Sequence, residues 1–385
     1  FQNLSDDTEQ EYFADGIVED IITGLSRIKW LFVIARNSSF IYKGQSIDVK
    51  RVGRELGVRY VLEGSVRKAA DRVRINCQLN EAESGRHLWA ERYDRALEDI
   101  FVLQDDITLS TIGAIEPTMR DAEIERVKRK RPDSLDAYDY VLRAMPYLTS
   151  TPMPHEAQIA IPLLEKALEL ELDYARAHGL LSWCHEILYL RAGFKEENRL
   201  ACIRHARAAI LHGRDDSTAL ALGAFNLSMI EHDRATAFET FDRAMSIAPF
   251  SAFTLFFGAI ASSRAGKAEQ TIEWGEQALR LSPFDRMTYA SHHAIALAHF
   301  LRGRYEESAN AARRAVQASP EFSICHLVLT APLVRLGRMD EATATAQRVL
   351  ELQKFSASQF CKAFAVAPEL AEPLTQAWTE AGLPS

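Results

Sequence analysis

Cysteine and histidine side chains at helical spacing are the first candidates for chemistry in this sequence. Cys184 is followed directly by His185, and Cys202 precedes His205 by three residues. On a helix, that spacing turns two side chains to one face, where a thiolate and an imidazole share a zinc ion in many proteins. Alternatively, the cysteines pack as small hydrophobic residues and His205 fills a core position. Since no second ligand pair follows at similar spacing, we predict no metal site and no cofactor.

Adjacent acids are a second candidate, because paired carboxylates perform acid–base catalysis. The pairs are Asp105 with Asp106 and Asp215 with Asp216. At helix starts and on solvated faces, such acids usually cap helices or keep the surface soluble. The sequence also contains no phosphate-binding glycine loop, no dinucleotide-binding glycine motif, no nucleophile elbow and no HExxH zinc motif. We therefore predict that this chain has no catalytic residues and is not itself an enzyme.

A polar loop is a candidate for binding a small ligand or nucleotide. Residues 30–35 form a continuous apolar run, which predicts a strand buried on both faces. Polar residues just beyond the carboxyl end of a strand are where α/β domains bind ligands. Here they are Arg36, Asn37, Ser38, Ser39 and Tyr42. The alternative, that they only cap the loop and the end of the sheet, stays open.

The elements that position these residues differ between the two halves of the chain. Apolar residues recur at helical spacing over 12–28, and a short amphipathic helix over 48–56 ends at Gly57. Strand patterns follow over 58–62, 66–79 and 87–93, so residues 1–96 predict a small α/β domain with a mixed sheet. A long connecting helix is predicted over 97–132. We interpret its basic run, 126–131, as an interdomain joint rather than a nucleic-acid contact.

Composition limits the class of protein. The 385 residues carry a formal net charge of −8, which argues against a dedicated nucleic-acid binder. No membrane span is predicted from the sequence. Five irregularly spaced cysteines do not indicate a disulfide framework, and a reducing, cytoplasmic location fits best.

Residues 133–356 repeat with a period close to 34. Small residues mark the end of each unit at spacings of 41, 36, 34, 37 and 34, namely Ala167, Ala208, Ala244, Ala278, Ala315 and Val349. A glycine lies twelve residues before each of the last three of these positions, and His232 lies twelve residues before Ala244. This period is that of tetratricopeptide (TPR) repeats, in which helix hairpins stack into a superhelix. We predict about six units, followed by polar-faced capping helices over 357–385.

In such an array, certain positions of the first helix of each hairpin face a concave groove. Here those positions are unusually apolar and aromatic, as an exposed site for a peptide or another protein would be. They are Asn226, Met229, Phe253, Phe256, Ile260, His293, Leu297, Phe300, Ile324 and Leu327. Two alternatives stay open: that several of them belong to the core, or that the groove holds the chain's own terminal helix.

Several motifs resemble a known tandem of domains. They are FQNLSD at 1–6, EYFADG at 11–16, VIARNSSF at 33–40, ELGVRYVLEGSV at 55–66 and HLWAERYD at 87–94. These segments resemble the TolB N-terminal-like (FlgO-like) domain that precedes TPR arrays. IERVKRK at 124–130 and LDAYD at 135–139 are similar to the version linked to class III adenylate/guanylate cyclases in rhizobia and related proteobacteria.

The resemblance implies a regulatory and protein-interaction region of a cyclase involved in cAMP or cGMP signalling. It also implies a homodimer or higher homo-oligomer, because that enzyme class works at a dimer interface. The chain begins at Phe1 without a methionine, so we expect a fragment whose catalytic domain lies upstream. The alternatives are the sensory region of a winged-helix transcriptional regulator and a free-standing TPR scaffold.

Overall fold

The computed structural model describes residues 1–4, 11–28, 31–45, 48–69, 72–96, 100–128, 135–149, 153–283, 285–354 and 356–385. Within it the chain divides into two compact units, Phe1–Glu123 and Ile124–Ser385. The boundary falls inside a long helix, α4, which spans Ile100–Lys128.

A mixed four-stranded sheet forms the centre of the first unit. Its order is β1 (Gln2–Asn3), β2 (Tyr60–Ala69), β3 (Arg72–Glu81) and β4 (Arg86–Ala96). β1 pairs with β2 in parallel, whereas β2–β3 and β3–β4 are antiparallel. Between β1 and β2 the chain forms α1 (Glu11–Ser26), α2 (Arg36–Ser39), a 3₁₀ turn (Phe40–Tyr42) and α3 (Val49–Leu56). The small α/β fold with a mixed sheet is therefore confirmed.

Alternation along β3 builds the core of this unit. Val73, Ile75 and Cys77 are buried, while the residues between them face outward. Ile17 of α1 and Ile107 of α4 belong to the same apolar cluster. This is the half-exposed antiparallel strand that period-two alternation predicts.

The short helix α3 begins and ends as its sequence predicts. The Asp48 carboxylate accepts a hydrogen bond from the Lys50 backbone N–H (3.0 Å), which caps the first turn. Gly57 follows the last turn with φ at +66°, a left-handed conformation that glycine adopts without steric cost.

The predicted strand over residues 30–35 is wrong. Residue 30 lies outside the described residues, and 31–35 are in no strand, with Phe32 85% exposed. An apolar run becomes a buried strand only where a partner strand is available. Among the described residues the sheet consists of β1 to β4, and residues 31–35 pair with none of them.

Six antiparallel helix hairpins lie in the described part of the second unit, and the predicted all-α repeat array is confirmed. First helices touch the first helix of the next hairpin from α7 through α15, so the hairpins stack side by side. The pairs are α5 (Ala137–Thr149) with α6 (Pro154–Leu170), α7 (Ala175–Arg191) with α8 (Glu196–His212), α9 (Ser217–Asn226) with α10 (Arg234–Ile247), α11 (Ala252–Arg264) with α12 (Ala268–Leu281), α13 (Thr288–Leu301) with α14 (Tyr305–Ala318), and α15 (Ser323–Arg335) with α16 (Met339–Leu352).

Three further elements belong to the array. A π-helical turn, Leu227–Glu231, extends α9, and α17 (Ala357–Ala363) and α18 (Pro368–Glu380) follow the sixth hairpin. We call residues 356–385 the C-terminal segment.

In each hairpin, a small residue closes the last turn of the second helix, as the repeat pattern predicts. The carbonyls of Ala167, Ala244, Ala278, Ala315 and Val349 each accept the N–H of the residue that ends the helix. In α8 that carbonyl belongs to Ala209, so the predicted anchor Ala208 is wrong by one residue. The shift places fully buried Cys202 at the small position seven residues before the anchor.

Backbone in the left-handed region turns the chain between the helices of four hairpins. Gly266, Gly303 and Gly337 have φ of +76°, +69° and +71°, and His232 has φ of +65°. The predicted hairpin turns are therefore confirmed, including the one that uses histidine where the later hairpins use glycine.

Candidate functional site

The ten residues predicted to line a groove do not form an exposed patch. Nine of them are at most 9% exposed, and Ile260 is half-buried. The buried ones are Asn226, Met229, Phe253, Phe256, His293, Leu297, Phe300, Ile324 and Leu327. The exposed apolar groove is therefore a wrong prediction for this state of the molecule, and a role of these residues in partner binding stays a prediction.

Aromatic rings that interlock across the first helices account for part of this burial. Trp183 of α7 meets Phe253 and Phe257 of α11 at ring-centroid distances of 6.4 and 4.9 Å, although α9 lies between α7 and α11 in sequence. Phe225 of α9 meets the same Phe257 at 4.9 Å. The inner side of the array is thus packed core over these helices.

The C-terminal segment covers another part. Trp378 of α18 is fully buried, and its indole N–H donates to the backbone carbonyl of Leu327 on α15 at 2.9 Å. Phe360, Leu370 and Leu374 are buried as well, while Glu369, Glu372 and Gln376 of α18 are exposed, as expected for helices that cap the array with a polar outer face. Of the two alternatives left open for the groove, both apply: its residues are core, and the chain's own terminal helices lie against α15.

This segment also reaches hairpins far from its own end of the array. The Ala367 N–H donates to the carbonyl of Arg264, the last residue of α11, at 2.8 Å. The Arg234 guanidinium at the start of α10 donates to the Ala365 carbonyl. The stacked rings of Phe360 and Phe364 each lie 5.5 Å from the Arg264 guanidinium. A single cap on the last hairpin would make none of these contacts.

A cleft of about 1080 Å³ in the first unit includes part of the predicted ligand loop. Ser39 and Tyr42 line it, whereas Arg36, Asn37 and Ser38 do not. Tyr42 donates its hydroxyl hydrogen to Glu55 at 2.7 Å. The loop therefore places two of its five residues at the cleft, and ligand binding there stays a prediction.

A lysine on the same cleft was not singled out by its sequence. Lys43 lines the cleft, and its ammonium pairs with Asp15 at 2.5 Å and with Glu11 at 2.9 Å. These hydrogen bonds raise the pKa of Lys43 against the opposing effect of its partial burial. No local pattern indicates this lysine, because its partners lie on α1, about thirty residues earlier in the chain.

The candidate metal ligands are brought together only in part, since the rings of His185 and His205 stack with their centroids 5.9 Å apart. The Cys202 thiol is fully buried, and burial raises its pKa, as expected for a cysteine that packs as a small hydrophobic residue. His205 instead faces His178, with 2.9 Å between their Nδ1 atoms, a pairing that the sequence did not indicate. Burial is the main cause that lowers the pKa of His205 to about 3. Among the described residues, no group of three or more potential ligands is arranged for a metal.

The acidic pairs have structural roles. Asp216 accepts hydrogen bonds from the N–H groups of Thr218 and Ala219 and caps α9. It also pairs with Arg176 at 3.1 Å. Asp106 lies 3.5 Å from Arg95. The interpretation of these acids as caps and surface charges is confirmed for the cap of α9.

No described helix has the length and apolar character that crossing a bilayer requires.

Comparison with known proteins gives one clear relative. A Rhizobium meliloti (strain 1021) protein named "Putative adenylate cyclase 3" is 50% identical over 182 residues. The match covers 47% of this chain and 31% of that protein, so the chain corresponds to under a third of the relative's length. No protein-family model matches the sequence.

Two solved structures illustrate the level of structural similarity. A human IFIT1 dimer with PPP-AAAA is 17% identical, with a TM-score of 0.47 over 56% of this chain and 50% of that one. The Cut9–Hcn1 hetero-tetramer of the APC/C is 11% identical, with a TM-score of 0.47 over 71% of this chain and 49% of that one. Similarity at this level does not extend to partners or ligands.

Proposed function

We propose that this chain is a non-catalytic regulatory and protein-interaction region of a bacterial class III adenylate or guanylate cyclase. The observation that carries the proposal is the 50% identity over 182 residues to a protein with an adenylate cyclase name. The sequence also lacks the paired metal-binding aspartates of the cyclase active site, so catalysis is assigned to another part of the parent protein.

Within this proposal, the array is the partner-binding element. The segment that covers α15 and reaches α10 and α11 belongs to the same chain, so it acts as an internal occupant of the surface that a peptide or subunit would use. A partner that displaces it gains access to the inner side of the first helices. The first unit, which resembles a TolB-like domain, serves as an assembly or sensing module, and coupling acts on the dimerisation of the catalytic domain.

Two arginines on α10 allow a matched test in the full-length protein. Arg234 donates to the Ala365 carbonyl in the C-terminal segment and to the Arg264 carbonyl at 3.4 Å. Arg243 donates to the Ile210 carbonyl at 3.3 Å and has no hydrogen bond to that segment among the described residues. We expect Arg234→Ala to loosen the segment and to change the rate of cyclic nucleotide formation. Arg243→Ala removes a similar charge and a similar hydrogen bond, and should leave the rate unchanged.

Hydrogen exchange of residues 357–380 in both variants shows whether the segment has loosened. If Arg234→Ala increases exchange there while cyclic nucleotide formation equals that of the wild type and of Arg243→Ala, the proposed coupling is wrong.

A further inference from the structure

Arg264 is a buried cation that forms no salt bridge in the described part of the chain. It is 2% exposed, and its Nε and Nη1 atoms have no hydrogen-bond partner. The rings of Phe360 and Phe364 each have their centre 5.5 Å from its guanidinium. Burial lowers the pKa of Arg264 to about 10, so it remains charged at neutral pH. An unpaired buried charge costs several kcal/mol, roughly, so a structure that retains one normally supplies an anion.

Two further donors face the same interior from other helices. Arg191, the last residue of α7, holds its guanidinium 4.3 Å from the centre of the Phe322 ring. His293 of α13 is 3% exposed, and neither ring nitrogen has a hydrogen bond of normal geometry, although the Tyr289 carbonyl one turn earlier faces it. Burial, first of all, lowers the pKa of His293 to about 3, and both Arg264 and Arg191 lower it further. Both arginines thus act electrostatically on His293, which is neutral with one N–H to donate.

One acidic side chain faces these groups and does not balance them. Glu186 of α7 is buried, and burial raises its pKa to about 7 against the opposing effect of Arg191 and Arg264. Tyr289, Cys325 and Cys361 are the other titratable neighbours, and burial raises the pKa of each, so all three are neutral. At neutral pH the interior thus holds two permanent positive charges and a carboxyl group that is only partly ionised.

We propose that Arg191, Arg264 and His293 form a binding site for a small oxyanion with two negative charges, either free inorganic phosphate or the phosphate group of a monoester. A dianion balances two guanidinium groups, and a guanidinium presents its N–H donors in the planar fork that phosphate oxygens accept. The neutral imidazole adds a third donor. Protonated Glu186 neither repels the anion nor needs a cation of its own.

The C-terminal segment closes this site. Phe360 and Phe364 cover the Arg264 guanidinium, and the Arg264 carbonyl holds the segment through the Ala367 N–H. The rings keep water away from the guanidinium, which strengthens its interaction with an anion. Entry and release of the ligand therefore require the segment to move.

Thermal unfolding of the 385-residue chain in phosphate-free buffer tests the site. Inorganic phosphate and glycerol 3-phosphate are added in separate series at constant ionic strength, with sodium chloride as the reference. A ligand that binds only the folded state raises the midpoint with concentration. We expect a saturable rise with at least one of the two ligands, and the ligand with the lower half-saturation concentration identifies the source of the phosphate.

Matched variants separate this site from the general stabilising effect of phosphate salts. Arg264→Met preserves the volume and removes the charge, and Arg191→Met does the same at the more accessible arginine. Arg313→Met removes a surface arginine that pairs with Glu341 at 3.0 Å. We expect the half-saturation concentration to rise about tenfold or more in the first two variants, as for loss of a charged hydrogen-bond donor, and to stay unchanged in the third.

Isothermal titration calorimetry at 25 °C checks each folded variant directly. Equal responses to phosphate in the wild type, Arg264→Met, Arg191→Met and Arg313→Met would overturn the proposal, as would the absence of any saturable response in the wild type.

Discussion

Glu186 shows how burial inside the array sets the pKa of a single carboxyl group. Its side chain is buried, and Arg191 and Arg264 oppose the effect of this burial on its pKa. Burial therefore dominates and raises its pKa to about 7. Because the folded-state pKa lies above the unfolded value, the folded chain binds this proton more tightly, and stability is lost as the pH rises toward and through the folded pKa.

We predict that the free energy of unfolding of the wild type falls by roughly 1 kcal/mol between about pH 6.5 and about pH 8 because of Glu186 alone. Glu186→Gln keeps the shape without the charge and should remove this decline. Glu197→Gln, at a side chain that is 75% exposed, should preserve it. The measurement is urea unfolding at several pH values in phosphate-free buffer. Parallel curves for the wild type and Glu186→Gln would show that Glu186 is already ionised in the folded state.

Burial of individual residues was the least predictable feature at this scale. The groove assignment failed because the first helices are apolar nearly all round, and an amphipathic period cannot tell which face of such a helix meets a neighbour. On α11, residues 253–259 and 261–264 are all buried. His293 and Asn226 look like polar groove residues in the sequence, yet Asn226 donates to Ser182 at 2.8 Å inside the core.

Elements defined by local chemistry were predictable. α3 has its cap at Asp48 and its stop at Gly57, both within one short stretch of sequence, and the hairpin turns follow from glycine at a fixed place in the repeat. The strand over 30–35 failed for the opposite reason. Whether an apolar run joins a sheet depends on a partner strand elsewhere in the chain, and no local pattern carries that information.

The hairpin turn at Gly337 allows a clean test of the repeat logic. Its φ is +71°, and a Cβ added there would meet no atom within 4 Å, so any cost of substitution comes from the backbone alone. We expect Gly337→Ala to destabilise the second unit by roughly 1 kcal/mol, because alanine tolerates the left-handed region poorly. Gly337→Asn should be less destabilising, since asparagine enters that region more readily. Chemical unfolding followed by far-ultraviolet circular dichroism measures both.

Equal stability of Gly337→Ala and the wild type would mean that the turn changes its conformation when the glycine is replaced. Equal loss in the alanine and asparagine variants would point to a cause other than backbone conformation.

At the scale of the whole molecule, the C-terminal segment is the feature that connects structure with the proposed control. Arg234 and Ala365 are 131 residues apart in sequence, and their contact joins the third hairpin to the end of the chain. Contacts between residues so far apart in sequence produce no repeat pattern in the sequence. The repeat pattern therefore predicted only a cap at the end of the array. The segment closes the proposed phosphate site and covers α15, so its docking and release would alter both.

A disulfide that fixes this segment tests the central claim most directly. A Cβ built at Gly266 lies 3.4 Å from the Cβ of Ala367, close to the separation that disulfides require, and all five native cysteines are buried. The full-length protein with Gly266→Cys and Ala367→Cys is assayed for cyclic nucleotide formation before and after reduction. Gly266→Cys alone serves as the control, because it carries the same side chain at a φ of +76° without the disulfide, and mass spectrometry verifies the disulfide.

The account predicts that reduction changes the rate of cyclic nucleotide formation in the double variant, that reoxidation reverses the change, and that the single variant does not respond. The same rate in the oxidised and reduced double variant, or no cyclic nucleotide formed by the wild-type full-length protein, would contradict it.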